Sequence, residues 1–435
     1  MRWLLSIVAL ALSFTATAQS TRERIIENPT LARGTYSLYP VPIDVQSPAP
    51  RGYKAFYISH YGRHGSRFIQ TNEQFDTVVA QLSDAASKGA LTPLGESVYA
   101  QFMAASGTCA RRAGELTAVG VAQQRGIAER MYAAHPALFG RGAKVTATST
   151  VVPRVILSMT AFTQQLVRMN PKLEIQTETG RRYMGYINPY SPDNDPELSR
   201  RVACYRFPEA EWSKRWYDFR DANIDNSRLL SSLFKEEYIA SIAAPMEFVM
   251  NLFRNAICFA GTGTGVDIEE IFTPEERYRW WRVINLFYYV EKGNSGIGGG
   301  FISDVSDILL KNFVDEADRY IARGERGATL RFGHDGNVIG LLNSMGVTGW
   351  AERVESFEAV EDRACDFTVP MAANVQWVFY SNKRGEIIVK MLLNEQPITF
   401  PIQSDIAPYY RWQDVRSYCI GRLRESVVYN YRDLK

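Results

Sequence analysis

Two rhythms of hydrophobic positions alternate along the chain. Lys54 to Ser59 mixes apolar and polar residues loosely, with aromatic and β-branched side chains, and predicts a strand buried in a core. Lys144–Thr150, Leu173–Thr177 and Ala328–Gly333 predict three more strands. Gln376–Tyr380 and Glu386–Leu393 alternate on either side of Asn382-Lys-Arg-Gly385 and predict a β-hairpin. Between them runs a period near 3.6. Asn72–Ser87 puts Phe75, Val78, Val79 and Leu82 on one helical face. Thr92-Pro93 and Thr117 open two further helices, the second running through Gln123 and Met131 towards Ala134. Pro153 leads into a helix holding Arg154, Ser158, Phe162 and Leu166, and another helix begins near Asn337.

From about Arg181 to Arg323 the pattern becomes almost wholly helical and richer in aromatics and arginine. Segments 209–219, Leu229–Ala244, Pro245–Ala260 and Pro274–Glu291 carry it. The expected organisation is an α/β core of residues 19–180 and 324–435 with an inserted, mainly helical lobe at 181–323. Gln19–Gly52, rich in Pro, Ser and Tyr, predicts an extended lead-in on the surface. The end of the chain, past Trp412, declares itself neither strand nor helix. Met1-Arg2, the apolar run Trp3–Phe14 and Ala16-Thr17-Ala18 predict a signal peptide over 1–18, hence a periplasmic or secreted protein. That run is too short to span a bilayer and no later one is long enough, so no membrane partner is expected.

Composition narrows this little. The 435 residues are 46% hydrophobic and 22% charged, as in ordinary globular chains, and a net charge of +2 gives no reason to expect a nucleic-acid partner. Five cysteines (Cys109, Cys204, Cys258, Cys365 and Cys419) show no metal-like spacing. In an oxidising compartment they allow one or two disulfides; buried free thiols are the other reading. The glycine run at 295–300 has no strand before it and no Lys after it, so it does not read as a nucleotide loop.

The chemistry concentrates in Tyr57-Ile-Ser-His-Tyr-Gly-Arg-His-Gly-Ser-Arg-Phe68, read as a strand end running into a loop. Arg63 and Arg67 supply forked donors that match phosphate oxygens, and His64 between them is a potential nucleophile. Hydrolysing a phosphomonoester needs neutralised equatorial oxygens, an in-line nucleophile and a proton for the leaving alkoxide. Arg154 and the His334-Asp335 pair also follow predicted strands, and sites in open α/β sheets form at the carboxyl ends of strands. Asp335 could also cap the helix that begins near Asn337. His60 and His135 read as structural, His60 as a buried, hydrogen-bonded ring, and the Trp280-Trp281 pair reads as core. The two candidate histidines lack a third ligand, so no metal and no cofactor is expected.

These blocks resemble branch 2 of the histidine phosphatases, which comprises histidine acid phosphatases, phytases and multiple inositol polyphosphate phosphatases. The matching stretches are Arg63-His-Gly-Ser-Arg67, Leu116-Thr-x-x-Gly-x-x-Gln123, the segment around Arg154 and Ser158, His334-Asp335, and Val369-Pro-Met-Ala-Ala-Asn374 with Asn394-Glu395. The resemblance implies a phosphoglycerate-mutase-like three-layer α/β/α core with an inserted helical lobe. It implies His64 as the phosphorylated nucleophile and Asp335 as proton donor. Arg63, Arg67, Arg154 and His334 would bind the phosphoryl oxygens of a small-molecule phosphomonoester. The loop continues Arg67-Phe68-Ile69 where the family pattern has Arg-x-Pro. The second site reads His-Asp-Gly, nearer to acid phosphatases and bacterial phytases than the His-Ala-Glu of inositol polyphosphate phosphatases. The leading expectation is therefore an exported acid phosphatase working at acidic pH. An inositol polyphosphate phosphatase or phytase is the alternative, with Arg181, Arg182, Lys214, Arg215 and Lys292 as candidates for a basic rim. A phospho-ligand binding protein without turnover is the third reading.

Overall fold

The structure, a computed structural model, describes residues 19–40, 48–191, 196–297, 305–360 and 369–424. The expected signal peptide, Cys365 and half of the 295–300 glycine run lie outside the described residues. One mixed sheet organises the rest, in the order β3-β2-β4-β1-β5-β6-β7, with β8 also paired to β6. The strands are β1 Lys54–Arg63, β2 Lys144–Ser149, β3 Ile175–Thr179, β4 Gly327–Gly333, β5 Asn374–Ser381, β6 Ile387–Leu393, β7 Gln396–Pro397 and β8 Tyr409–Arg411. β3, β2, β4 and β1 run parallel, and β5 and β6 form the expected antiparallel hairpin beside them.

β1 is buried on both faces, so its alternate side chains enter two different cores. Ile58 joins Val145, Leu330 and Val378 beneath the helices Ala118–Ala134 and Pro153–Met169. Tyr57 and Tyr61 join Trp377 and Phe379 on the opposite face, beneath the helices Asp307–Arg323, Asp335–Ser344 and Trp412–Arg422. This is a three-layer α/β/α arrangement. The Asp307–Arg323 helix lies within the segment expected to form the helical lobe, yet it packs directly on the sheet. Tyr320 stacks on Tyr57 at 3.9 Å between ring centroids and donates to the Lys144 carbonyl at 2.7 Å.

Several local expectations need correction. The lead-in is not extended: Ser20 and Glu23 form a capping box that starts a helix over Thr21–Glu27, and a 3₁₀ segment, Pro29–Tyr36, follows. The helix seats a fully buried Ile25 against Tyr278 and Trp281. Leu229–Ala244 is not one helix but two short ones, Ser227–Leu233 and Glu236–Ile239. The break arises because Leu233 O accepts from Thr92 N at 3.0 Å and Lys235 N donates to Ala90 O at 2.8 Å, which pulls this backbone out of helical geometry. β3 begins two residues later than its apolar start predicts. The four described cysteines are free thiols, three of them buried.

Candidate active site

Strand order brings the site together. Arg63 and Gly333 are register partners at the ends of parallel β1 and β4, so the next residues, His64 and His334, emerge side by side. Adjacent strands lie about 4.8 Å apart, and the two imidazole centroids are 5.6 Å apart, edge to face. β2, on the other side of β4, ends at Ser149 opposite Phe332 and turns into the Pro153–Met169 helix, which carries Arg154 in its first turn. Three strand ends thus deliver four of the candidates to one edge of the sheet.

β1 runs further than its alternation predicts. Arg63 N donates to Ala373 O at 2.7 Å and His64 N to Gly333 O at 3.0 Å, so ladder pairing continues into the loop that carries His64 and Arg67. The loop is then clamped from several sides. Gly65 N donates to Ser158 Oγ at 3.1 Å, Ser66 N to Gln123 Oε1 at 2.8 Å, and Gln124 Nε2 to Arg63 O at 2.8 Å. Gly65 and Gly120 are glycines for closeness, not for an unusual φ. A Cβ on Gly65 would sit 2.3 Å from Gly120 O, and one on Gly120 would sit 2.3 Å from Ser66 O. The Thr117-capped helix and the loop touch backbone to backbone there.

His64 Nδ1 lies 2.8 Å from Gly65 O. A carbonyl can only accept, so Nδ1 carries the proton and the lone pair sits on Nε2. Burial, with Arg154, Arg63, His334 and Arg67 close by, pushes the ring well below the ordinary histidine pKa, which keeps that lone pair unprotonated in mild acid. His334 is positioned through its backbone N–H, which donates to Tyr61 Oη at 3.1 Å; Tyr61 in turn donates to Ile187 O at 2.9 Å. Burial first, then Arg154, lowers its pKa too, and its Nε2 has no hydrogen-bond partner among the described residues.

Asp335 is the first residue of its helix, not the cap; His334 occupies the cap position without a side-chain bond. Asp335 Oδ1 accepts from Gly336 N at 2.8 Å, and Oδ2 lies 2.8 Å from Arg63 Nη2. Burial alone would raise the carboxyl pKa, but Arg63, His334, the Gly336 N–H and Arg67 outweigh it and hold the group below the ordinary value. The free carboxyl is therefore a stronger acid than an unperturbed aspartate.

Five of the six sequence candidates line one cavity of about 600 Å³: His64, Arg67, Arg154, His334 and Asp335. Arg63 lies one layer beneath. It is fully buried, and its Nη1 donates to Thr35 O at 2.6 Å and Val369 O at 3.0 Å. Arg67 is propped by Phe68 O at 2.9 Å and Tyr36 Oη at 3.3 Å. Arg154 Nε has no hydrogen-bond partner among the described residues, and burial beside Arg67 lowers its pKa to about 10, so it stays charged at any working pH.

The basic rim is not the one the sequence indicated. Of those five cations only Lys292 lines the cavity, together with Arg206 and Arg254, which carried no local signal. Arg182 pairs with Glu178 at 2.9 Å and Lys214 with Asp218 at 2.6 Å on solvated faces, and Arg215 lies over the Phe357 ring. Tyr36, Gln70 and Tyr288 also line the cavity and were missed. Thr71 and Gln74 at its edge form a capping box, which is legible in sequence as a helix start but not as a cavity wall.

His60 is buried as expected, but its Nδ1 has no hydrogen-bond partner among the described residues. Burial pushes His60 to about 3 and His135 to about 4, so both stay neutral in the fold. Unfolded histidines protonate near about 6.5. Between these values the unfolded chain binds more protons, so stability falls as pH drops from about 6.5 towards 3–4, by up to ~1.4 kcal/mol per unit for each such ring. Calorimetry should give a lower Tm at pH 4.5 than at 6.5; a Tm that rises on acidification would contradict neutral buried rings.

The fold is that of the histidine acid phosphatases. Among solved structures the chain is similar to the multiple inositol polyphosphate phosphatase of Bifidobacterium longum, at 20% identity over 89% of this chain and 97% of that one, with a TM-score of 0.74. It is also similar to the phytase of D. castellii (15% identity, 91% and 85% covered, TM-score 0.69) and to that of Klebsiella sp. ASR1 (11%, 88% and 98%, 0.53). No family model matches the chain, and no curated protein matches it.

Proposed function

We propose that the chain is an exported phosphomonoesterase of the histidine acid phosphatase type. His64 Nε2 attacks phosphorus, the ester P–O bond breaks, and the leaving oxygen takes a proton from Asp335. Water then attacks the phosphohistidine, its proton passes to the Asp335 carboxylate, and the P–N electron pair returns to Nε2. Arg67 and Arg154 hold the equatorial oxygens, with the fixed charge of Arg63 behind them. His334 Nε2, orphaned in the free protein, gains a phosphoryl oxygen as partner. The observation that carries this reading is the pair of neutral imidazoles 5.6 Å apart, with one nucleophilic lone pair defined by the Gly65 carbonyl.

A second reading, an enzyme acting on inositol polyphosphates, is supported equally well. It rests on the cavity volume, on Arg206, Arg254 and Lys292 beyond the reacting end, and on the neighbours' substrates. Phosphate release from p-nitrophenyl phosphate, sugar phosphates, 2,3-bisphosphoglycerate and inositol hexakisphosphate separates the two. We expect turnover at acidic pH that chelator leaves unchanged, because guanidinium and imidazole groups neutralise the phosphate. A higher kcat/KM for inositol hexakisphosphate than for the monoesters decides for the second reading. No release from any of them rejects both.

A further inference from the structure

One acidic side chain stands among the cations of the cavity beyond the reacting end. Glu291, the penultimate residue of the Pro274–Lys292 helix, is 3% exposed. Its Oε1 lies 2.7 Å from Lys292 Nζ and 3.5 Å from Arg206 Nε. Arg206 is held in turn by Nη1 donating to Tyr190 O at 3.0 Å, and the Lys292 ammonium sits 4.6 Å from the centre of the Tyr190 ring. All four residues line the cavity.

The cluster has a definite place relative to the chemistry. The Lys292 stem packs on Gly336, where a Cβ would lie 2.8 Å from Lys292 Cδ. Gly336 follows Asp335, the group assigned to protonate the leaving oxygen. The leaving alcohol therefore departs on this side, and whatever it carries next to the scissile ester meets Lys292, Arg206 and Glu291. Two cations alone would attract any second anion there. With Glu291 buried between them the net charge is only +1, and an arriving anion must approach a carboxylate that water screens poorly.

We propose that Glu291 is a specificity-determining residue on the leaving-group side, limiting how strongly the cavity binds leaving groups that carry a second anion. This rests on the phosphatase reading, because Asp335 orients the substrate. The test is calorimetric binding of inositol hexakissulfate and of inorganic phosphate to the full chain and to Glu291→Gln. Phosphate reads the reacting end alone, whereas the hexakissulfate reads both. We expect Glu291→Gln to tighten the hexakissulfate about tenfold relative to phosphate, the scale of one unit charge near a ligand anion in a partly solvated site. A ratio that stays the same or falls overturns the proposal. Lys292→Met keeps the question open to refutation if Glu291→Gln does not fold. It should weaken the hexakissulfate several-fold more than phosphate, and equal weakening overturns the proposal. Neither measurement needs turnover, so failure here is distinct from failure of the phosphatase reading, which shows as no release of p-nitrophenol by the unaltered chain.

Discussion

His64→Ala lowers kcat/KM for p-nitrophenyl phosphate by about 10⁴-fold or more, the scale on which loss of a nucleophile acts in an otherwise assembled site. The unaltered chain should form an acid-labile, base-stable phosphoenzyme from radiolabelled substrate, and this variant should not. The fold should survive. Among the described residues the ring makes one hydrogen bond, to the adjacent Gly65 carbonyl, and the loop around it is held by Ser158, Gln123 and Gln124 through backbone groups that the substitution leaves in place. A thermal transition close to that of the unaltered protein would confirm that chemistry, not structure, was lost. Retained activity in this variant would remove the phosphohistidine mechanism altogether.

The second large effect belongs to Asp335. Asp335→Asn should lower kcat by about 10²–10⁴-fold on alkyl phosphates, the usual worth of a positioned general acid. It should lower it far less on p-nitrophenyl phosphate, whose phenoxide leaves without a proton. That dependence on the leaving group is the decisive readout, because the variant also removes the carboxylate facing the buried Arg63 and will lose stability. The pH profile carries the same signature. In the free protein the carboxyl is held below its ordinary pKa, chiefly because Arg63 and His334 outweigh burial. The protonated, active fraction therefore declines as pH rises above that lowered value. A bound phosphate dianion adds negative charge and takes up part of the arginine field, which raises the carboxyl pKa. The descending limb of kcat/KM should accordingly lie at lower pH than that of kcat, and both limbs should vanish in Asp335→Asn. Coincident limbs would mean that another group supplies the proton.

The two readings of substrate differ in where their support lies. The expectation of an acid phosphatase rests on the resemblance of His334-Asp335-Gly336, whereas the alternative rests on the cations at the far wall of the cavity. The cavity explains how both can hold. Its reacting end is built from strand ends shared by either reading. Its far wall comes from helices and loops between residues 188 and 292, whose cations are partly offset by Glu291.

Most of the reacting end was legible before any coordinates. Strand patterns over Lys54–Ser59, Lys144–Thr150 and Ala328–Gly333 put His64, Arg154 and His334 shortly after strands, and the threonine caps at 92 and 117 mark helix starts the structure keeps. These are local matters: alternation records burial on two faces, and a cap needs only the next three residues. The N-terminal helix is equally legible, since Ser20 and Glu23 spell a capping box, although the prolines and tyrosines beyond it mask the signal.

What the sequence alone determined is which residue types stand just after the strands, because an imidazole, a carboxyl and a guanidinium are fixed by residue type. Tertiary structure decided the rest. The order β2-β4-β1 made three strand ends neighbours, Arg63 was sunk beneath Asp335 and lowered its pKa, and the distal rim came from Arg206, Arg254 and Lys292 with Glu291 among them. The reason is that a pKa or a binding wall depends on charges brought close by packing of distant segments. Arg206 and Glu291 carry no mark in their own neighbourhoods that they will meet.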